Sequence, residues 1–265
     1  MVSRAPISDR KILTLAALCL WSISILRVDA QPESTSDKAQ RVPVLVELFT
    51  SEGCSDCPPA DALLAELDAK QFVPGADAIV LSEHVTYWDH QGWRDPFSLE
   101  AMTQRQEEYV RLFALDSAYT PQAVVDGTSQ FVGSDGRALL AAMSKAAAKP
   151  KMKLAIESAS WDHGTIRFAV RAEKTDGSKL TAVLAANATH SEVARGENAG
   201  RTLHHTAVVR VLKEMDGGVA DGRSLSLALT NAQRAGSTDG EMRLVVFATD
   251  SKSGRVIAAA EQKLP

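Results

Sequence analysis

The sequence predicts an α/β N-terminal domain followed by an all-β, sandwich-like C-terminal domain. Three observations predict it. Strand and helix signals alternate from Val42 to about Ala148. After Pro150 the pattern changes to period-two alternation, with turn signals and no helix pattern between the strands. Two cysteines, Cys54 and Cys57, sit where a strand-like run gives way to a helix-like run.

The run 42–50, V-P-V-L-V-E-L-F-T, is rich in β-formers. The run from Pro58 opens with two prolines and an acid, then continues L-L-A-E-L, which predicts a helix. A second strand is predicted over 79–84. A helix is predicted over 97–113, where Leu99, Met102, Gln106, Tyr109, Val110 and Phe113 recur at helical spacing and Ser98 can cap. Ala123-Val124-Val125 predicts a short buried strand ending in the turn signal Asp126-Gly127, with Phe131-Val132 as its hairpin partner. The Ala/Leu-rich run 135–149 predicts a helix that stops at Pro150. Strands are then predicted over 152–158, 165–171, 179–186, 206–213, 225–229, 242–249 and 256–262.

Composition bounds the function. The chain has 265 residues, 45% hydrophobic and 23% charged, which fits a folded globular protein rather than a disordered or fibrous one. The formal net charge is -4, so no basic surface invites nucleic acid or an anionic membrane. Residues 1–30 have the layout of a secretory signal peptide. Arg4, Arg10 and Lys11 precede an apolar stretch, and Val28-Asp29-Ala30 offers small residues for cleavage. The expected organisation is a signal peptide over 1–30, a polar linker over 31–41, and domains over 42–150 and 151–265. Cleavage would leave 25 Lys and Arg against 31 Asp and Glu, a charge of -6, and no membrane span. It would also remove Cys19, leaving Cys54 and Cys57 as the only thiols. An exported, periplasmic or secreted, location is oxidising, so these two are expected to pair. So short a loop removes little chain entropy, which favours a functional bridge over a staple.

Cys54-Ser55-Asp56-Cys57 at a strand-to-helix junction is the redox arrangement of the thioredoxin superfamily, and the α/β domain is expected to be thioredoxin-like. Cys54 would be the attacking thiol, favoured as thiolate by the helix N-terminus, and Cys57 the resolving thiol. Glu52 and Asp56 oppose thiolate formation. Thr120-Pro121, ahead of an apolar strand and Asp126-Gly127, has the form of the cis-proline loop that packs on such thiols. Pro121 would present backbone to a protein thiol or disulfide partner. No His follows Cys57 and no second CxxC exists, so c-haem and zinc-ribbon readings fall away.

Four blocks in order resemble one family: V-E-L-F-T-S-E-G-C-S-D-C-P-P-A-D (46–61), S-E-H-V-T-Y-W-D-H-Q-G-W-R-D-P-F (82–97), Y-T-P-Q-A-V-V-D-G (119–127) and R-G-E-N-A-G-R-T-L-H-H-T-A-V-V-R (195–210). The chain is similar to the secreted thioredoxin-like proteins of domain-of-unknown-function family 1223. The sequence departs from that family's pattern at Asp56, where Ser is usual. The resemblance implies the fold and export and supplies no activity.

Three functions stay open on the sequence. The first is a thiol–disulfide oxidoreductase using Cys54, Cys57 and Pro121, without a cofactor. The second is copper handling, in which Cys54 and Cys57, with His84, would hold Cu(I). The third is a non-catalytic interaction protein. His84 ends the second strand and reads either as a proton shuttle for Cys54, as that third ligand, or as a hydrogen-bonded loop histidine. His204-His205 lies in a polar segment with Arg195, Glu197, Asn198 and Arg201. This segment reads as a loop docking on the redox face, an anion site, or a salt-bridged contact between domains. Tyr87, Trp88 and Trp93 read as a local core or as an aromatic rim.

Overall fold

The structure is a computed structural model and describes residues 41–173, 177–215, 223–230, 233 and 241–264. The expected leader over 1–30 and the linker up to residue 40 lie outside the described residues.

Strand β1 (Val42–Thr50) pairs in parallel with β2 (Ala76–His84) and antiparallel with β3 (Gln122–Val125). A strand paired on both edges and covered on both faces needs apolar residues at nearly every position, which explains the unbroken run in its sequence. Val44, Val46 and Leu48 face helices α1 (Pro58–Lys70) and α3 (Gly136–Ala147), meeting Leu64, Leu67, Leu139 and Met143. Leu45 and Phe49 face the other way, toward helix α2 (Glu100–Leu112), where Met102 and Tyr109 cover them. The side chain of Asp135 caps α3 by accepting the amides of Arg137 and Ala138. Ser98 does not cap α2 as expected. The N-cap position is Leu99, and the Ser98 hydroxyl donates instead to Asp89 Oδ2 at 2.8 Å. The predicted hairpin forms between β3 and β4 (Ser129–Val132).

The expected arrangement, a thioredoxin-like α/β domain followed by a separate sandwich, is corrected by the strand pairing. Seven strands follow α3: β5 (Leu154–Asp162), β6 (Thr165–Ala172), β7 (Ser178–Glu192), β8 (Thr202–Met215), β9 (Arg223–Ala228), β10 (Met242–Asp250) and β11 (Val256–Leu264). Four of these join the first half in one mixed eight-stranded sheet, ordered β11-β10-β7-β8-β2-β1-β3-β4. The join is a parallel contact of β8 on β2 at Ser82 and Val208. Only β5, β6 and β9 form a second sheet, which packs Ile166, Phe168 and Val170 on Leu180, Leu184, Leu244 and Val246. The described chain is thus mostly β around a sheet shared by both halves. One core runs through it: Leu45, Ile79 and Leu81 pack with Val183, Val209, Val245 and Phe247. Apolar periodicity reports that a segment is a strand and which face is wet. It does not report which strand lies alongside, so the join across β2 and β8 left no local signal.

A second joint lies at the turn after β3. Asp126 Oδ1 accepts the Leu45 amide at 2.9 Å and the Lys151 ammonium at 2.6 Å. Its carbonyl accepts the Val256 amide at 3.0 Å. The next residue, Gly127, has φ +65° and lies against Gly254, where an added Cβ would stand 2.1 Å from the carbonyl oxygen.

Candidate functional site

Cys54 and Cys57 form a disulfide with Cα atoms 5.4 Å apart. The pair ends the loop after β1 and opens α1, with Cys57 at the N-cap. Both cysteines are buried, 1% and 0% exposed, while Ser55 and Asp56 between them are exposed.

The backbone around the sulfurs is already committed. Pro58 and Pro59 fill the first helical positions and carry no N–H. The amides of Ala60 and Asp61 both donate to the Cys57 carbonyl, at 2.9 and 3.1 Å. The Cys54 amide donates to Ser51, the Cys57 amide to Cys54, and the Ser55 amide to Glu197 Oε2 at 3.0 Å. The sequence expectation that a helix N-terminus favours the Cys54 thiolate therefore finds few free donors. Proline at the first two positions was the signal for this.

A network of buried charge lies beneath the disulfide loop. Glu52 is fully buried two residues before Cys54. Its Oε1 accepts from the Ser191 hydroxyl and lies 3.2 Å from His205 Nε2, and its Oε2 accepts the Trp93 indole N–H at 2.8 Å. The other ring nitrogen of His205, Nδ1, stands 3.7 Å from Asp61 Oδ2. Burial alone would lower the His205 pKa, but Asp61 and Glu52 on either side raise it from 6.5 to about 10. Beside this ring, 4.6 Å away and edge-on, lies His84. His84 Nδ1 is 2.7 Å from Asp95 Oδ2, and both side chains are sealed from solvent. Burial would raise Asp95, yet His84 and the amides of Glu52 and Phe97 hold it below the usual carboxylate range. His84 is therefore packed within the network under the loop. Its Nε2 and Asp61 Oδ1 are buried without a hydrogen-bond partner.

The second half of the chain closes on the loop through residues 191–205. Asn198 is buried, and its Nδ2 donates to the carbonyls of Glu52 (2.8 Å) and Cys54 (2.9 Å). Gly196 packs on Trp93. The segment both docks on the cysteine loop, through Asn198 and Glu197, and makes the salt-bridged contact between the halves, through His205 with Glu52 and Asp61. His205 points inward and His204 is exposed, ring to ring with His190 at 5.9 Å. In the sequence Glu52 reads only as an opposing charge, and nothing marks Asp61 or Asp95 as site residues. Isolated acids in soluble-looking segments carry no burial signal.

Thr120–Pro121 is a cis peptide. Trp88 ties this loop to the cysteine loop: its indole N–H donates to Thr120 Oγ1 at 2.7 Å, and its Cβ packs on Gly53. Gly133 lies between Pro121 and Ala60 of α1. A Cβ built there would be 3.2 Å from Pro121 Cβ and 3.1 Å from Ala60 Cβ. Among the described residues no three His, Cys, Asp or Glu side chains converge to hold a metal ion, and no helix is long and apolar enough to cross a membrane.

The family model described as "Protein of unknown function (DUF1223)" matches residues 45–249. No curated protein matches the chain. Among solved structures, the chain is similar to the X-ray crystal structure of a protein from Agrobacterium tumefaciens. That match has 24% identity and a TM-score of 0.59, and covers 84% of this chain and 94% of that one. This likeness speaks to the fold alone. A β-glucuronidase from Bacteroides uniformis also matches, at 11% identity, 43% and 12% coverage and a TM-score of 0.19, too low to carry an argument. With a model that spans most of the described chain, both cysteines and the docking segment, the protein belongs to the DUF1223 family.

Proposed function

We propose that the protein is an exported thiol–disulfide redox protein acting through Cys54 and Cys57 on protein or peptide thiols and disulfides. One observation carries the reading. The only two cysteines after residue 30 face each other as a disulfide at the first turn of a helix, over a buried network of two histidines and three carboxylates. A mere staple closing so short a loop needs no such network. Perturbed ionisable groups gather where chemistry is done. Cys54 is the attacking thiol, Cys57 resolves the mixed disulfide, and Pro121, tied in through Trp88, offers backbone to the partner. Thiol–disulfide exchange of this kind uses no cofactor.

Oxidised glutathione tests the assignment of roles. Reduced Cys57→Ser protein is expected to accumulate a mixed disulfide at Cys54, read as the added mass of one glutathionyl group. Reduced Cys54→Ser protein is expected to react far more slowly. Equal reaction at either cysteine, or at neither, contradicts the proposal.

A further inference from the structure

Cys57 has a chemical problem that its surroundings define. To resolve a mixed disulfide it must attack as a thiolate. Nothing on the backbone helps it: Pro58 and Pro59 donate no hydrogen bond, and the Ala60 and Asp61 amides are taken by its own carbonyl. The buried side chains of Glu52, in the loop before the cysteines, and Asp61, in the first turn after them, are acids, and His205 stands between them. Burial and negative neighbours both disfavour a standing thiolate. The proton must therefore leave at the moment of attack, to a base within reach.

Asp61 is the acceptor that helical spacing brings toward Cys57. Asp61 is four residues after Cys57 on the same helix, and the Asp61 amide bonds the Cys57 carbonyl at 3.1 Å, so the turn between them is helical. Side chains at this spacing share a face, about 5–6 Å apart at Cβ, and the later one leans back over the earlier. Asp61 is buried. Its Oδ2 faces His205, and its Oδ1 has no hydrogen-bond partner. A buried carboxylate oxygen left unpaired is costly and calls for a reason. A thiol donor supplied when the disulfide opens is such a reason.

We infer that Asp61 is the buried general base for Cys57, with His205 and Glu52 as the positioning pair that keeps its carboxylate in place. The inference rests on the redox reading above. In the resolving step the Cys57 S–H proton passes to Asp61 Oδ1, and the Cys57 sulfur attacks the Cys54 sulfur. The Cys54–Cys57 bond forms and the bond from Cys54 to the partner sulfur breaks. The partner leaves as a thiolate and takes a proton from solvent. Two electrons have passed from the cysteine pair to the partner disulfide, and Asp61 then releases its proton. In the reverse direction protonated Asp61 protonates the departing Cys57 thiolate. His205 on β8 faces Asp61, Glu52 meets the far nitrogen of His205, the His84–Asp95 pair lies beside that ring, and Cys57 precedes Asp61 by one helical turn on α1.

Two measurements on Asp61→Asn separate a base from a packing residue. The first is oxidation of the reduced protein by saturating oxidised glutathione, where resolution limits the rate. Asp61→Asn is expected to slow it roughly 100-fold near neutral pH. The second is thiolate absorbance of Cys57 in a Cys54→Ser background. There Asp61→Asn is expected to lower the thiol pKa, because a negative neighbour is gone. Slower resolution with a more acidic thiol identifies the base. An unchanged rate, or a slower rate with a less acidic thiol, overturns the inference. Should Asp61→Asn fail to fold, the redox-difference infrared spectrum of the unmodified protein decides: reduction is expected to perturb a buried carboxyl band, and a silent carboxyl region overturns the inference. Absence of any exchange with glutathione in the unmodified protein removes the redox reading itself. Normal exchange with an unaltered Asp61→Asn rate removes only the role of Asp61.

Discussion

His205 is the residue on which the buried charge balances. It sits between Glu52 and Asp61, and the fold raises its pKa from 6.5 to about 10. The folded protein thus keeps a proton that the unfolded chain gives up near its ordinary value. A raised histidine pKa contributes stability that is complete below about pH 6.5 and lost as pH rises through about 10. Between those limits unfolding stability is expected to fall as pH rises, because the folded state keeps the proton that the unfolded chain releases. His205→Asn is expected to lower stability at mildly acid pH and to flatten the dependence above neutrality. Urea unfolding at several pH values checks it; a variant whose midpoint falls as steeply as the parent's contradicts it. Among residues, Cys54, Cys57, Pro121 and His84 were legible in the sequence, because cysteine spacing, a Thr-Pro turn and a histidine closing an apolar strand are local patterns. Asp61 was legible only as an acid in the first turn of a helix, since its burial comes from β8, far along the chain.

Two elements do more than their sequences suggest. The segment 193–201 reads as a polar loop, yet Asn198 holds the carbonyls of Glu52 and Cys54 while Glu197 holds the Ser55 amide. With Cys54 only 1% exposed, exchange requires this segment to yield. Asn198→Ala is expected to speed reduction of the disulfide by a small phosphine at least several-fold, measured under native conditions by free-thiol release. An unchanged rate shows that other elements limit access. Helix α2 covers the opposite face of the sheet, and its Arg105 enters a buried acid pair. Arg105 Nε donates to Glu47 Oε1 at 2.6 Å, Tyr109 donates to Glu47 Oε2 at 2.5 Å, and Glu83 Oε1 lies 3.7 Å from Arg105. Burial, reinforced by neighbouring Glu47 and opposed by Arg105, pushes the Glu83 pKa well above the usual range. Removing the cation leaves Glu47 buried and unpaired. Arg105→Ala is expected to cost about 3–5 kcal/mol in urea unfolding; a loss within the range of a surface substitution contradicts this account of α2. The hydrophobic spacing of α2 is visible in its sequence, but the pairing of its charged residues is not. A charge on an amphipathic helix is ordinarily a solvent-facing one.

At the scale of the whole molecule, the joint between β2 and β8 makes one sheet of two halves. The existence of each strand was legible, because period-two patterns and turn signals are local, but β7 runs on to Glu192 and β8 begins at Thr202, beyond the expected 179–186 and 206–213 and taking in His204 and His205. The separate sandwich was not what formed, because β7, β8, β10 and β11 extend the first half's sheet, and only β5, β6 and β9 stand apart. The turn at Asp126-Gly127 shows the same limit. It reads as an ordinary hairpin signal, but it also docks Lys151 and Val256 from the second half. Gly127→Ala would set a Cβ 2.1 Å from the Gly254 carbonyl oxygen at a φ of +65°. It is expected to destabilise by at least about 1–3 kcal/mol, with both halves melting in one transition. Two separate melts in calorimetry contradict a shared core. The central claim, however, concerns the sulfurs that this joint encloses. Its most direct measurement is the equilibrium of Cys54 and Cys57 with a glutathione redox buffer, read by mass after acid trapping. The account predicts a reversible two-electron midpoint above about -300 mV. A pair that stays oxidised across the whole buffer range would mark the bridge as structural and contradict the account.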